Sequence, residues 1–215
     1  CIHDQSGAWS PIDILNMKLR DHKGFQVFSK VLTAINFFTI FRLKTISFGK
    51  KQSVSVDINS DHKAFVIGCY GGEHVGDAAI LGGVMLRLYK KYSCSKYIVA
   101  SLRRDRTIRW VGALDNMHQV EVVDYVGKGN KLDEDVTLLV IAGGPLMDLP
   151  SLLMKHIFLI KKAFKKNIPI IIEGVGIGPF RFKMSERLVY KILQSADDVT
   201  VRTSKAKALC DEKKI

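Results

Sequence analysis

The 215-residue sequence has only four cysteines, Cys1, Cys69, Cys94 and Cys210, and no two of them form a CxxC pair. This excludes a zinc ribbon, a dithiol redox motif and a dense disulfide framework, and it suits a reducing cytoplasm. The six histidines are equally dispersed, with no HxxxH spacing and no His–Cys cluster, so no metal is expected. No run of about 18 apolar residues is present, which argues against a membrane-spanning helix. Acidic residues are scarce beside basic ones, 21 Asp and Glu against 33 Lys and Arg, for a formal charge of +12. Such a surplus serves nucleic acid, an anionic membrane or an acidic substrate. An arginine-rich arm, zinc-finger spacing and an aromatic RNA-binding signature are all missing, so nucleic acid is not an expected partner. The densest basic cluster, Lys161, Lys162, Lys165 and Lys166, reads as the solvated side of a helix. No charged-then-apolar leader stands ahead of Cys1, and the chain reads as a fragment with its true N-terminus upstream.

What is present, from about Lys63 onward, is an alternation of strand and helix patterns. "KAFVIGCY" reads as a buried strand, followed by a helix over Gly76–Tyr89 with Ile80, Val84 and Leu88 on one face. "KYIVASL", "VEVVDY" and "VTLLVIAGG" read as three further strands. A helix over Leu149–Lys166 follows, with Pro150 placed for its first turn and Leu153, Ile157, Ile160 and Phe164 as its apolar stripe. "IPIIIEGVGIGP" is a fifth strand, Ser185–Ser195 a helix, "DDVTVR" a strand, and Ser204 opens a terminal helix. Continuous apolar strands between amphipathic helices predict an α/β, Rossmann-like parallel sheet with helices on both faces. Residues 1–62 differ. "FQVFSKVLTAINFFTIFRLKTISF" predicts a helix that packs on a core or lies in a membrane interface, and "GKKQSVSVDINSDHK" a polar linker. The expected division is therefore an extension over 1–62 and a Rossmann-like domain over 63–215.

In open parallel sheets, ligands bind beyond the carboxyl ends of the strands. Three of these ends carry glycine: Gly68 through Asp77, "AGGPLMD" at 142–148, and "EGVGIGPF" at 173–180. A fourth carries Arg202. Glycine at such places permits close backbone approach and leaves amide groups free for an anion. The first turn reads G-x-x-G-G-x-x-x-G, not the G-x-G-x-x-G of a dinucleotide site, and no G-K-[ST] of a P-loop follows it.

Four segments, "GGEHVGDAAIL", "IAGGPLMD", "EGVGIGPF" and the strand ending in Arg202, stand in the order and spacing of the polysaccharide pyruvyl transferase family, which residues 64–210 resemble. The resemblance implies one half of a two-domain, glycosyltransferase-B-like fold whose second domain lies outside this chain. It implies transfer of pyruvate from phosphoenolpyruvate, a donor substrate rather than a cofactor, to a cell-surface glycan, as a ketal. A fragment with one cleft wall is expected to be inactive alone. Two departures are visible: Ala142-Gly143-Gly144-Pro145 replaces a triple glycine, and Thr203 stands after Arg202 where the family has Asp.

The resemblance implies that Gly72, Gly76, Asp77, Gly143, Gly144, Gly176, Gly178 and Arg202 line the substrate site. Arg202 is the expected contact for carboxylate or phosphate, because its fork matches such groups at two points. Asp77, Glu173 and His74 are the weaker candidates for proton transfer. Capping of the helix that each precedes is the competing role for Asp77 and Asp148. A lipid-linked glycan acceptor at the cytoplasmic face of a membrane would fit the charge and the Phe-rich segment. The other readings are a sugar-nucleotide glycosyltransferase of the same architecture and a non-catalytic binding domain.

Overall fold

The structure is a computed structural model, which describes residues 56–57, 60–72, 75–112, 119–125 and 132–215. The Phe-rich segment, most of the linker after it and His74 lie outside the described residues.

The described chain runs β1 (His62–Ile67), α1 (Val75–Tyr92), β2 (Cys94–Ser101), α2 (Arg104–Val111), β3 (Gln119–Asp124), β4 (Leu138–Ala142), β5 (Pro145–Leu146), α3 (Pro150–Lys165), β6 (Ile170–Ile177), α4 (Lys183–Gln194), β7 (Asp198–Val201) and α5 (Ser204–Lys213). All strand pairings are parallel. The spatial order is β3-β2-β1-β4-β6, and β7 pairs with β6. The two-residue β5 continues β4: Leu139 pairs with Ile170 and Pro145 with Gly176, so one register runs across the break at Gly143–Gly144. "AGGP" is thus an interrupted strand, where the sequence pattern suggests a turn into a helix. The element α2 is an addition to the expected series, since its only buried residue is Thr107 and it shows no apolar stripe.

Both faces of the sheet are covered, as Ala64 and Val66 are as fully buried as Phe65 and Ile67. One face is closed by α1, whose Leu81, Val84, Met85 and Leu88 recur at helical spacing and pack over β1, β2 and β4. Burial of each such side chain contributes about 1.5–3 kcal/mol. Polar ties hold the same helix to the far strands. Arg87 Nε lies 2.9 Å from Glu173 Oε2 on β6. Lys91 Nζ donates to Asp198 Oδ2 on β7 at 2.6 Å, and the Tyr92 hydroxyl donates to the same oxygen. Burial alone would raise the Asp198 carboxyl, but these two donors and the Lys91 charge hold it below the usual range.

The expected lysine face is only partly a solvated one. Lys166 Nζ donates to the Leu132 and Asp133 carbonyls at 2.8 and 3.3 Å, and Lys162 Nζ stands 4.4 Å from the centre of the Phe158 ring. Lys165 is exposed.

Candidate active site

Strands β1, β2 and β3 proceed in one direction from the centre of the sheet, and β4 returns to the opposite side of β1. The chain direction therefore reverses between β1 and β4, and in such sheets the carboxyl ends at this reversal form the usual ligand crevice. Here the crevice floor is filled with protein. Tyr70 follows β1 and is completely buried. A methyl group built on Gly143 would come within 2.9 Å of its hydroxyl, and one on Gly68 within 2.1 Å of the Ala142 carbonyl oxygen. A methyl on Gly144 would meet Cys69 Sγ at 2.9 Å. The close approach that these glycines permit is between the two turns themselves. Gly143 has a second requirement for glycine, its φ of +74°.

This packing sets the local electrostatics. Burial, then the Cys69 and Asp77 charges, push the Tyr70 phenol far up, and its hydroxyl has no hydrogen-bond partner among the described residues. The Cys69 thiol, half-buried rather than fully enclosed, is also raised, by burial and then by Asp77. Neither group is an ionised nucleophile at neutral pH.

Asp77 occupies the third position of α1, where its charge suits the positive end of the helix dipole, and Oδ2 would lie 2.8 Å from a methyl on Gly72. Gly76 is exposed, and a methyl built on it would meet no other described residue. Glu173 is in mid-strand and turned to α1, where Arg87 engages it, whereas the sequence suggests a place at the cleft mouth. Asp148 serves a different helix from the one it precedes. The N-cap of α3 is Leu149, without a side-chain cap, and the Asp148 carboxylate accepts instead from the Arg181 N–H just ahead of α4. Burial opposes ionisation of Asp148, but the amides of Arg181 and Phe182 and the Ser185 hydroxyl outweigh it and hold the carboxyl low.

The third glycine segment and Arg202 meet on the other side of the sheet. Gly178 donates its N–H to the Leu146 carbonyl at 2.9 Å, and Gly176 pairs with Pro145. Arg202 directly follows β7 and is exposed, its N–H held by the Val175 carbonyl at 3.2 Å. Its guanidinium has no carboxylate partner among the described residues and lies against Gly176.

Thr203 has a definite structural role that went unread in the sequence, although Thr before a helix is an N-cap signature. Its side chain accepts from Ala206 N at 3.1 Å and caps α5. Asp and Thr both cap helices, so the replacement keeps the local fold that follows Arg202. Thr203→Ala is expected to cost about 1 kcal/mol in urea unfolding and Thr203→Asp almost nothing. Equal losses in the two variants would refute the capping role.

Among the described residues no cluster of His, Cys, Asp and Glu is arranged to hold a metal ion, and no helix is long and apolar enough to cross a membrane. The parallel sheet and its order reversal at β1 and β4 define the class: a Rossmann-like α/β protein. The polysaccharide pyruvyl transferase family model matches residues 18–205, and the chain belongs to that family. The match starts well upstream of residue 64, so the family pattern takes in much of the N-terminal segment that the motifs alone leave outside it. Searches of curated proteins and of solved structures gave no match.

Proposed function

We propose that this protein transfers pyruvate from phosphoenolpyruvate to a cell-surface polysaccharide, and that Arg202 receives the donor's carboxylate or phosphate. The observation that carries the reading is an exposed guanidinium with no counter-ion among the described residues, placed at a strand's carboxyl end in a chain of this family. In the reaction, two acceptor hydroxyl oxygens form bonds to C2 of the donor and the bond from C2 to the phosphate oxygen breaks. One hydroxyl proton is balanced by the proton gained at the donor methylene, and the other leaves with inorganic phosphate. Charge builds on the departing phosphate, which is where a fixed cation lowers the barrier. Asp77, whose Oδ2 would stand 2.8 Å from a methyl on Gly72 in the first glycine turn, is the group proposed to orient an acceptor hydroxyl.

The test is phosphate release from phosphoenolpyruvate, with ketal formation on a polysaccharide panel followed by mass. Arg202→Ala should lower kcat/KM by about a hundredfold, the scale of losing a charge-assisted two-point contact. Release of nucleotide from a sugar nucleotide, with no ketal formed, would identify a glycosyltransferase instead. No turnover of either donor by the whole protein would favour the binding-domain reading.

A further inference from the structure

The relation between Arg202 and Gly176 has a consequence for the site. A methyl group on Gly176 would stand 2.9 Å from Arg202 Nη2, 3.0 Å from Nε and 3.3 Å from Cζ. The two nitrogens are nearer than the carbon between them, so the guanidinium turns the edge they share toward the glycine. The floor beneath it cannot recede. Gly176 pairs with Pro145 on one edge of β6, and its neighbour Val175 pairs with Val201 on the other. Arg202 is anchored at its own backbone by the Val175 carbonyl. Of the two parts in contact, only the side chain of Arg202 is free to move. The absence of a side chain at 176 is therefore what allows the guanidinium to rest in on β6.

We propose that Gly176 is a positioning residue for the anion site: its bare α-carbon seats the Arg202 guanidinium so that the fork's remaining hydrogen-bond donors face a carboxylate or phosphate oxygen. The inference rests on the reading of Arg202 as the donor contact. Gly176 touches no reacting atom and acts only through Arg202. Its replacement by alanine moves the far end of a flexible side chain and leaves the sheet pairing in place. Folding is therefore little affected while the cation is displaced. The role differs from that of Gly68 and Gly143, where an added methyl meets the backbone and ring atoms of a packed core.

The experiment uses the whole protein as wild type, Gly176→Ala, Arg202→Ala and the double variant. Phosphoenolpyruvate and, separately, inorganic phosphate are titrated while the Arg202 Nε–Hε resonance is followed by NMR. Gly176→Ala is expected to shift that resonance in the free protein and to weaken phosphoenolpyruvate binding roughly tenfold, with a matching rise in KM at little change in kcat. Its thermal midpoint should stay close to wild type. The double variant should bind no more weakly than Arg202→Ala, because both changes disable one contact. Wild-type binding by Gly176→Ala, or losses that add in the double variant, would overturn the proposal. So would an Arg202→Ala protein that binds both anions like wild type. Anion binding with this pattern but without any pyruvyl transfer would support the seat and sink the proposed reaction alone.

Discussion

Gly68→Ala is expected to destabilise the protein by about 3 kcal/mol or more, while Gly76→Ala in the same glycine segment should be neutral or gain up to about 0.5 kcal/mol. The two glycines are eight residues apart and look alike in the sequence. At Gly68 the new methyl group would lie 2.1 Å from the Ala142 carbonyl oxygen and 2.8 Å from the Tyr70 ring. Neither neighbour can yield. Ala142 is paired with Glu173 in the sheet, and Tyr70 is wholly buried. The end of β1 must move from β4, and the cost then includes lost pairing and a disturbed core. At Gly76 nothing among the described residues, the helix's own backbone apart, lies within 4 Å of the added carbon. The residue belongs to a helix, where alanine is the better former. Urea unfolding midpoints for both variants measure the contrast. A Gly68→Ala protein within about 0.5 kcal/mol of wild type would show that the β1 and β4 turns do not pack as described.

The second large effect is an acid-side loss of stability carried by His156. This residue lies on the inner side of α3, beside Leu153, Ile157 and Ile160, and both ring nitrogens lack partners among the described residues. Burial first, and then the Lys155 charge, lower it from 6.5 to about 4. Because the folded value is the lower one, the imidazole is neutral in both states above about pH 7 and adds no pH-dependent cost there. As the pH falls through 6.5 the unfolded chain takes up a proton that the folded protein refuses, and stability drops until the pH nears 4. Between pH 7.5 and 5 this group alone should remove about 2 kcal/mol. In His156→Leu the apolar stripe is completed and that part of the slope should vanish, leaving the variant more stable than wild type at pH 5. Urea titrations at several pH values decide the matter. An unchanged slope in His156→Leu would assign the acid loss to other groups.

Much of the fold was legible because it rests on local patterns. The runs "AFVI", "LLVIA" and "IPIII" are apolar without interruption, as strands covered on both faces must be. The stripe of α3 appears at helical spacing, and Pro150 falls in its first turn as read. Where the reading missed an element, the local signal was weak. Half of the eight residues of α2 are charged, and the helix buries only Thr107, which Ser101 Oγ meets at 2.7 Å. The helix stands because the end of β2 and the Val122 carbonyl, bonded by Arg104 Nε at 2.8 Å, hold it in place.

The site residues were legible as residue types and less so as roles. Arg202 could be found from its place after an apolar strand, and the structure leaves it exposed at that strand's end. Glu173 and Asp148 could not be assigned, because their partners, Arg87 and the Arg181 amide, are remote in sequence. The sequence by itself determined the alternation of strands and helices and the glycine segments and arginine at the strand ends, since each depends on near neighbours and on backbone preference. Only the tertiary structure decided which glycines are committed to core packing and which make room for a side chain. Gly68 and Gly143 both abut the Tyr70 ring because the sheet order places β4 beside β1, whereas Gly176 faces Arg202 because β7 lies beside β6.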